Sequence, residues 1–539
     1  MEASDRTKLA GPALWVGLSA VAVLFVALAW PMRWANDDAF ITFRYAKHLA
    51  EGHGFVWNIV DGEPVEGSTS LAWTVLNAGA IFLGIDPVLF SHCLGVAGSL
   101  LGLWLIYYAA RRVFALSPIW SLLAPALLVG HRQWLVWAVG GLETRVASVM
   151  QFAATLVMIV SLQKQKPRWL LGGLLFFVAT LFRPETPLLH LAAGLGAILA
   201  WRSRPVLRAV VLSGAVHVLL LLTLMAWRLS YFGLPLPNTV FVKVGAAQPE
   251  DGLRYIGQFI WQTHGWLWLP LLCVGLLFFW RKGAREMRPG SGLQAALLAQ
   301  IVLWVVWITV AGGGAWEFRF FDTLLPAIAL SLTMAVSLMG RARVMLAVAL
   351  LISQAATYVT GFNEFWPVVN KDRLVVEVEG MLREGRILAK YIGPEDRISI
   401  GWAGALPFTT DAWHLDPWGL NDREIAQREF DADAVIYHQR HATWDDVVKR
   451  NVMFCDIFNQ FIYRKPLLPG RIPRNLMPWA RKGIPVFCLY LPKDDRYWIF
   501  ASARSTDEVK AWAEARGLEL RYVTPLPFGP QNSRAKQAD

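Results

Sequence analysis

Charge is what this sequence has least of. Only 17% of its 539 residues are Asp, Glu, Lys or Arg, against about 25% in a soluble domain. That deficit excludes an ordinary water-soluble fold. Four cysteines are too few for a disulfide scaffold. No Walker-type or GxGxxG loop follows a strand, and HExxH and Gly-x-Ser-x-Gly are both missing. Nucleotide use and the common hydrolase chemistries therefore have no support. Internal repeats and low-complexity tracts are lacking too.

What is abundant is apolar sequence. Hydrophobic residues make up 55% of the chain, with 27 Trp, and many runs reach the roughly 20 residues that cross a bilayer. Spans are read at 12–30, 88–110, 118–138, 144–162, 169–182, 186–201, 208–229, 265–280, 293–311, 323–340 and 344–360. The stretch 69–85 is ambiguous, and charge decides it. If it does not cross and the N-terminus is cytoplasmic, every cytoplasmic loop is basic. Arg111 and Arg112, Arg202 to Arg208, and Arg341 and Arg343 are examples. About eleven spans follow, with the tail outside. The net charge of +11 is spread over those short loops. A nucleic-acid site would need it gathered on one face with aromatic platforms, so no nucleic acid is expected as a partner.

The predicted fold is a polytopic α-helical membrane protein over residues 1–360, followed by a mixed α/β C-terminal domain, 361–539. In the tail, 377–392 and 505–516 read as helices, and 396–408, 432–440, 483–491 and 497–503 as strands. Cys455 and Cys488 lie in it and are able to pair if it is outside the cytosol.

The first external loop, 31–87, carries the strongest candidates. Asp37 and Asp38 follow the first span closely, at the head of a predicted helix with Phe40 and Phe43 on one side and Arg44 and Lys47 around the other. Such a helix suits the headgroup plane. Adjacent carboxylates serve as a general base, a nucleophile or ligands of a divalent cation. One of them also suits a helix cap. Other polar groups collect at the outer ends of spans. Glu66, Glu143, Glu185, Asn238 and Glu317 are candidates for sugar or acceptor contacts. Arg183, Lys243 and Arg319 are candidates for a phosphate. Arg183 is equally suited to an ion pair with Glu185. Trp316, Phe318 and Phe320, after Gly312-Gly313-Gly314, offer rings to a lipid or sugar.

The Asp37-Asp38 pair, FRYAKHLAEGHGFVWN, GEPVEGSTSLAW, Gly140-Gly141-Leu142-Glu143 and Arg183-Pro184-Glu185 together resemble one family. They are similar, in the same order, to motifs of the GT-C superfamily of polyprenyl-phosphate-sugar-dependent glycosyltransferases, and among these to the actinobacterial terminal arabinofuranosyltransferases. The resemblance is specific over residues 30–185 and looser to 360. It implies a bacterial plasma-membrane enzyme that moves a sugar, arabinofuranose being one candidate, from a polyprenyl-phosphate donor to a cell-envelope glycan outside the cytoplasm. It places Asp37 and Asp38 near the anomeric carbon and requires no organic cofactor, leaving a divalent cation open. The sequence departs from the pattern at Gly312-Gly313-Gly314-Ala315, where relatives often carry a polar pair. Alternatives are a flippase for lipid-linked sugars, a scaffold that binds wall polymer, and a relative with another sugar or a protein acceptor.

Overall fold

The computed structural model describes residues 12–163, 168–243, 248–283, 289–314, 316–363, 371–429, 440–456, 461–466 and 476–524. The chain forms two compact units. One comprises residues 1–36, 69–236 and 246–375; the other comprises 37–68, 237–245 and 376–539. The first external loop thus belongs largely to the unit that holds the C-terminal sheet.

The first unit is helical. Among the described residues, seven helices are long and apolar enough to cross a membrane: 15–32, 87–113, 144–163, 204–232, 290–311, 319–337 and 340–360. Shorter apolar helices occupy 71–82, 118–130, 169–182, 186–201 and 265–274. Local chemistry sets their ends. Pro87 opens a helix whose cap, Asp86, accepts the Leu89 N–H at 2.8 Å, the arrangement that satisfies an orphan donor. Ser203 and Gly233 bound the 29-residue helix Arg204–Phe232, with Gly233 at φ 71°. Small residues let helices meet closely. At Gly196 a Cβ would stand 2.5 Å from Ala295 O, so the helices 186–201 and 289–311 touch backbone to backbone there.

One expectation changes, and one ambiguous stretch takes a definite form. The stretch 118–138 is not one span: it breaks into Pro118–Ser121, Leu123–Gly130 and Arg132–Val136. His131 is extended, at φ −83° and ψ 120°, and its ring accepts the Gln133 N–H, while the Arg132 side chain leaves to pair with Glu317. The ambiguous stretch forms Leu71–Phe82. Twelve residues rise about 18 Å, short of a bilayer core.

Among the described residues the second unit carries a seven-stranded mixed sheet: β1 (Arg397–Ile400), β2 (Trp413–Leu415), β3 (Phe454–Asp456), β4 (Ile462–Tyr463), β5 (Val486–Leu491), β6 (Arg496–Ala501) and β7 (Glu519–Val523). The order is β2-β1-β3-β6-β5-β7, with β4 also on β6. β1 runs parallel to β2 and β3, and the remaining pairs are antiparallel. The apolar runs 483–491 and 497–503 become β5 and β6, and Ser505 and Glu508 form a capping box before the helix Thr506–Glu514. The run 396–408 is strand only to Ile400; Ala405–Thr410 is helical. The expected strand at 432–440 lies outside the described residues except for Arg440. Cys455 and Cys488 do not bridge. Cys455 pairs Ala501 and Cys488 pairs Ile499, so β6 runs between them. Two strand spacings, about 9.5 Å, exceed the reach of a disulfide.

The chain is therefore a polytopic helical membrane protein with a mixed-sheet C-terminal part.

Candidate functional site

The candidate residues fall into two groups, one in each unit. In the helical unit, Glu143 precedes the helix Thr144–Gln163, Arg183 follows Trp169–Phe182, and Arg319 opens Arg319–Leu324. The ends of three apolar helices so deliver their charges to one point. Glu143 Oε1 accepts from Arg183 Nη1 at 3.2 Å and from Arg319 Nη2 at 2.6 Å. Arg183 also pairs with Glu185, and Arg319 Nε donates to Thr144 Oγ1 at 2.9 Å. Burial opposes ionisation of Glu143, but Arg319 and Arg183 outweigh it and hold the carboxyl below its usual range. The side chains of Arg183 and Arg319 keep 13% and 12% of their surface exposed.

Other charges in this unit are structural. Glu317 is wholly buried, at φ 38°. It takes two hydrogen bonds from Arg132, at 2.9 and 3.3 Å, and the Lys371 N–H at 2.7 Å. Its geometry leaves it a lock, not a sugar contact. Arg145 pairs with Asp322 at 2.6 Å and lies 3.4 Å above the Trp134 ring. Phe318, expected as a ring for lipid or sugar, is core: it is 0% exposed and packs on Tyr255, Phe259 and Phe362. Phe320 stays half-buried against Trp307.

A polar chain among the helices had no signature in the spacing of residues. His190 Nδ1 and His217 Nδ1 lie 2.8 Å apart; His217 Nε2 reaches Thr180 Oγ1 and His190 Nε2 reaches Ser213 Oγ. Thr180 donates to Phe176 O, so it accepts from His217 Nε2–H, and His190 then donates from Nδ1. That assignment satisfies all four groups while both rings are neutral.

In the second unit, the helix Asp37–Ala50 begins at the acid pair. It is not the surface-lying helix its apolar stripe suggested, since ten of its fourteen residues, Arg44 among them, are buried. Asp37 is not a cap of its own helix. Its two oxygens accept the N–H groups of Gly404 at 2.9 Å and Ala405 at 2.8 Å. Burial outweighs those donors and, with Asp38 adding to it, carries the carboxyl up to about 7. Asp38 is half-buried and points about 100° away around the helix.

Glu66 and Asn238 meet through backbone, the Asn238 N–H donating to Glu66 O at 3.0 Å. The Asn238 amide donates to Gly419 O and Leu420 O at 2.9 and 3.0 Å. Asp416 closes the same loop, 415–422, by accepting from Trp418 N, Asn421 N and Asn421 Nδ2. Lys243 is exposed at the end of Asn238–Lys243. A divalent cation needs several oxygen ligands. Both Asp37 oxygens are turned to N–H donors, and among the described residues no group of three His, Cys, Asp or Glu comes together. The donor set does not fit a metal at Asp37.

Residues 373–500 match a domain of unknown function (DUF8728). A terminal β-(1→2)-arabinofuranosyltransferase of Mycobacterium tuberculosis is 31% identical over 285 residues, 49% of this chain and 44% of that protein. The matched stretch thus spans less than half of the curated relative. Among solved structures, ArnT from Cupriavidus metallidurans, bound to undecaprenyl phosphate, superposes over 92% of this chain and 99% of its own. The TM-score is 0.53 and the identity 13%. The oligosaccharyltransferase AglB from Archaeoglobus fulgidus, in complex with an inhibitory peptide and a dolichol-phosphate, covers 92% of this chain and 75% of its own. Its TM-score is 0.51 and its identity 11%. The chain shares the fold of these two structures and is similar, over about half its length, to a terminal arabinofuranosyltransferase.

Proposed function

We propose that this protein is a membrane glycosyltransferase that moves a sugar from a polyprenyl-phosphate donor to a cell-envelope glycan on the outer side of the bacterial plasma membrane, with arabinofuranose the first sugar to test. The observation that carries the reading is the 31% identity over 285 residues to an arabinofuranosyltransferase, on a fold shared with a structure that holds undecaprenyl phosphate.

The chemistry follows from the residues. In a direct displacement, an acceptor hydroxyl attacks the anomeric carbon, the bond from that carbon to the phosphate oxygen breaks, and polyprenyl phosphate leaves. Arg183 and Arg319, held by Glu143, stabilise the departing phosphate. Such preorganised charge is often the largest single contribution to catalysis. Lys243, exposed on its helix end, is a further phosphate contact. Asp38 takes the hydroxyl proton as general base, while Asp37 is engaged by backbone N–H groups. Glu66 and Glu185 are the remaining candidates for hydroxyl contacts.

The test is purified protein in lipid nanodiscs offered a panel of polyprenyl-phosphate sugars with an oligosaccharide acceptor. Transfer from one of them, with release of polyprenyl phosphate, is the expected result. Lipid-linked sugar that changes leaflet without cleavage would make the protein a flippase instead.

A further inference from the structure

The helix Asp37–Ala50 grips one short helical turn, Ala405–Thr410, at both ends. Asp37 accepts the two N–H groups that lead into the turn, from Gly404 and Ala405. Arg44 donates to carbonyls on its far side, to Pro407 O at 2.6 Å from Nη1 and to Ala412 O at 2.8 Å from Nη2. Seven residues separate the two side chains, which puts them within about 20° of each other on the helix surface. Between them, Phe40 packs its ring 5.5 Å from that of Phe408. One turn further on, Lys47 pairs with Asp411.

Arg44 is the more telling of the pair. It is 0% exposed, and its remaining hydrogen bonds go to Trp57 O at 2.9 Å and Asn58 Oδ1 at 3.3 Å. Its hydrogen-bond partners are thus carbonyl oxygens throughout. Removing a guanidinium from water costs several kcal/mol, and backbone acceptors do not neutralise it. A face that has only to pack would use leucine. The arrangement instead fixes rotation and register: the acid accepts from N–H groups, the cation donates to carbonyls, and the turn presents one kind at each end.

We propose that Asp37 and Arg44 are positioning residues, which lock segment 404–412 onto the helix and so hold Asp38, the next residue, in the one orientation from which it serves as the base. The proposal rests on the glycosyltransferase reading above, and it gives the two members of the Asp-Asp pair different roles, Asp37 as anchor and Asp38 as the group that reacts. It also makes segment 404–412, through its bonds to Asp37 and Arg44, part of the catalytic device. Gly404 fits the same account, because a Cβ there would stand 2.0 Å from Asp37 O and push the anchored segment away.

The experiment uses the full chain in nanodiscs with a polyprenyl-phosphate sugar that the wild type turns over, and compares Asp37→Asn, Arg44→Lys, Arg44→Ala and Asp38→Asn. Each variant is read by kcat and donor KM, and by hydrogen exchange over residues 401–412. The expected result is that Asp37→Asn and Arg44→Ala lower kcat ten- to a hundred-fold with donor KM within two-fold of wild type. Exchange at Gly404 and Ala405 rises in both, and Arg44→Lys recovers part of the rate. Asp38→Asn loses a thousand-fold or more with exchange unchanged. Wild-type kcat in Asp37→Asn and Arg44→Lys, alongside faster exchange, would overturn the proposal. So would an Asp37→Asn variant as inactive as Asp38→Asn with exchange unaltered, since Asp37 would then act on the reactants. Full activity in Asp38→Asn would instead remove the assignment of the base itself. Should Arg44→Ala fail to fold, Asp37→Asn and Arg44→Lys decide the matter.

Discussion

Arg319 and Glu143, 176 residues apart in sequence, are joined by a 2.6 Å charge-assisted hydrogen bond at the mouths of two apolar helices. The same carboxylate oxygen receives Arg183. One acid thus sets the spacing of the two cations proposed to meet the donor phosphate.

Glu143→Gln should therefore destabilise the protein, by about 3–5 kcal/mol if the cost resembles that of breaking a buried pair. The Glu143 pKa is held low, so the ion pair contributes stability above the usual carboxylate pKa and loses it as pH falls through the lowered one. Thermal unfolding in detergent checks this. Wild type should show an acid-side loss that Glu143→Gln lacks, and matching curves would remove the pair from the stability account.

Arg183→Lys and Arg319→Lys keep the charge but lose the fork that grips phosphate and carboxylate. Each should lower kcat at least ten-fold while the protein stays folded. Single-turnover rates with saturating donor read the effect directly, and an unaltered rate in both would take the phosphate role away from them.

Asp38→Asn should cost a factor of about 10³ or more, toward the upper part of the roughly 10²–10⁴ that a positioned base supplies. Donor binding should persist, because the lost proton acceptor serves the other substrate. Retained titration of donor by fluorescence quenching, without turnover, is the expected signature.

Asp37 gives a stability dependence of opposite sign to that of Glu143. Its folded pKa is raised to about 7. The native state therefore holds the proton more tightly than the unfolded chain, and stability falls as pH rises from the usual carboxylate pKa through about 7. A rise of that size amounts to roughly 4 kcal/mol at full ionisation. The Tm difference between Asp37→Asn and wild type should drift in favour of the variant over that window and then flatten. A difference independent of pH would mean that burial does not govern this carboxyl.

Sidedness is open to direct labelling. With the exposed Cys93 and Cys273 replaced by alanine, a cysteine at Lys243 should react with an impermeant maleimide from outside. One at Arg341 should react only after permeabilisation, as its basic loop requires. The reverse pattern would invert the protein in the membrane.

Sequence reasoning went furthest where one physical force acts along the chain. Hydrophobic length marked all seven helices that, among the described residues, are long and apolar enough to cross a membrane, because a span is a local property of about 20 residues. Pattern also marked β5, β6 and the capped helix Thr506–Glu514. It failed at 118–138, where apolar composition hid a break made by a distant partner, Glu317.

The candidate site divides in the same way. That Asp37, Arg183 and Glu143 stand at helix ends was legible, because charges are expelled from hydrocarbon. Which charge meets which was not. Glu317 and Asn238 look like ligand contacts in sequence and prove to be held by Arg132 and by the carbonyls of residues 419 and 420. Arg44 reads as the polar side of a surface helix and proves to be buried among backbone carbonyls 363 and 368 residues further along the chain. The sequence by itself determined that this protein lives in a membrane and where its charges must stop. Only the tertiary structure decided which of those charges are already paired, because a hydrogen-bond partner is a neighbour in space and leaves no trace in the spacing of residues.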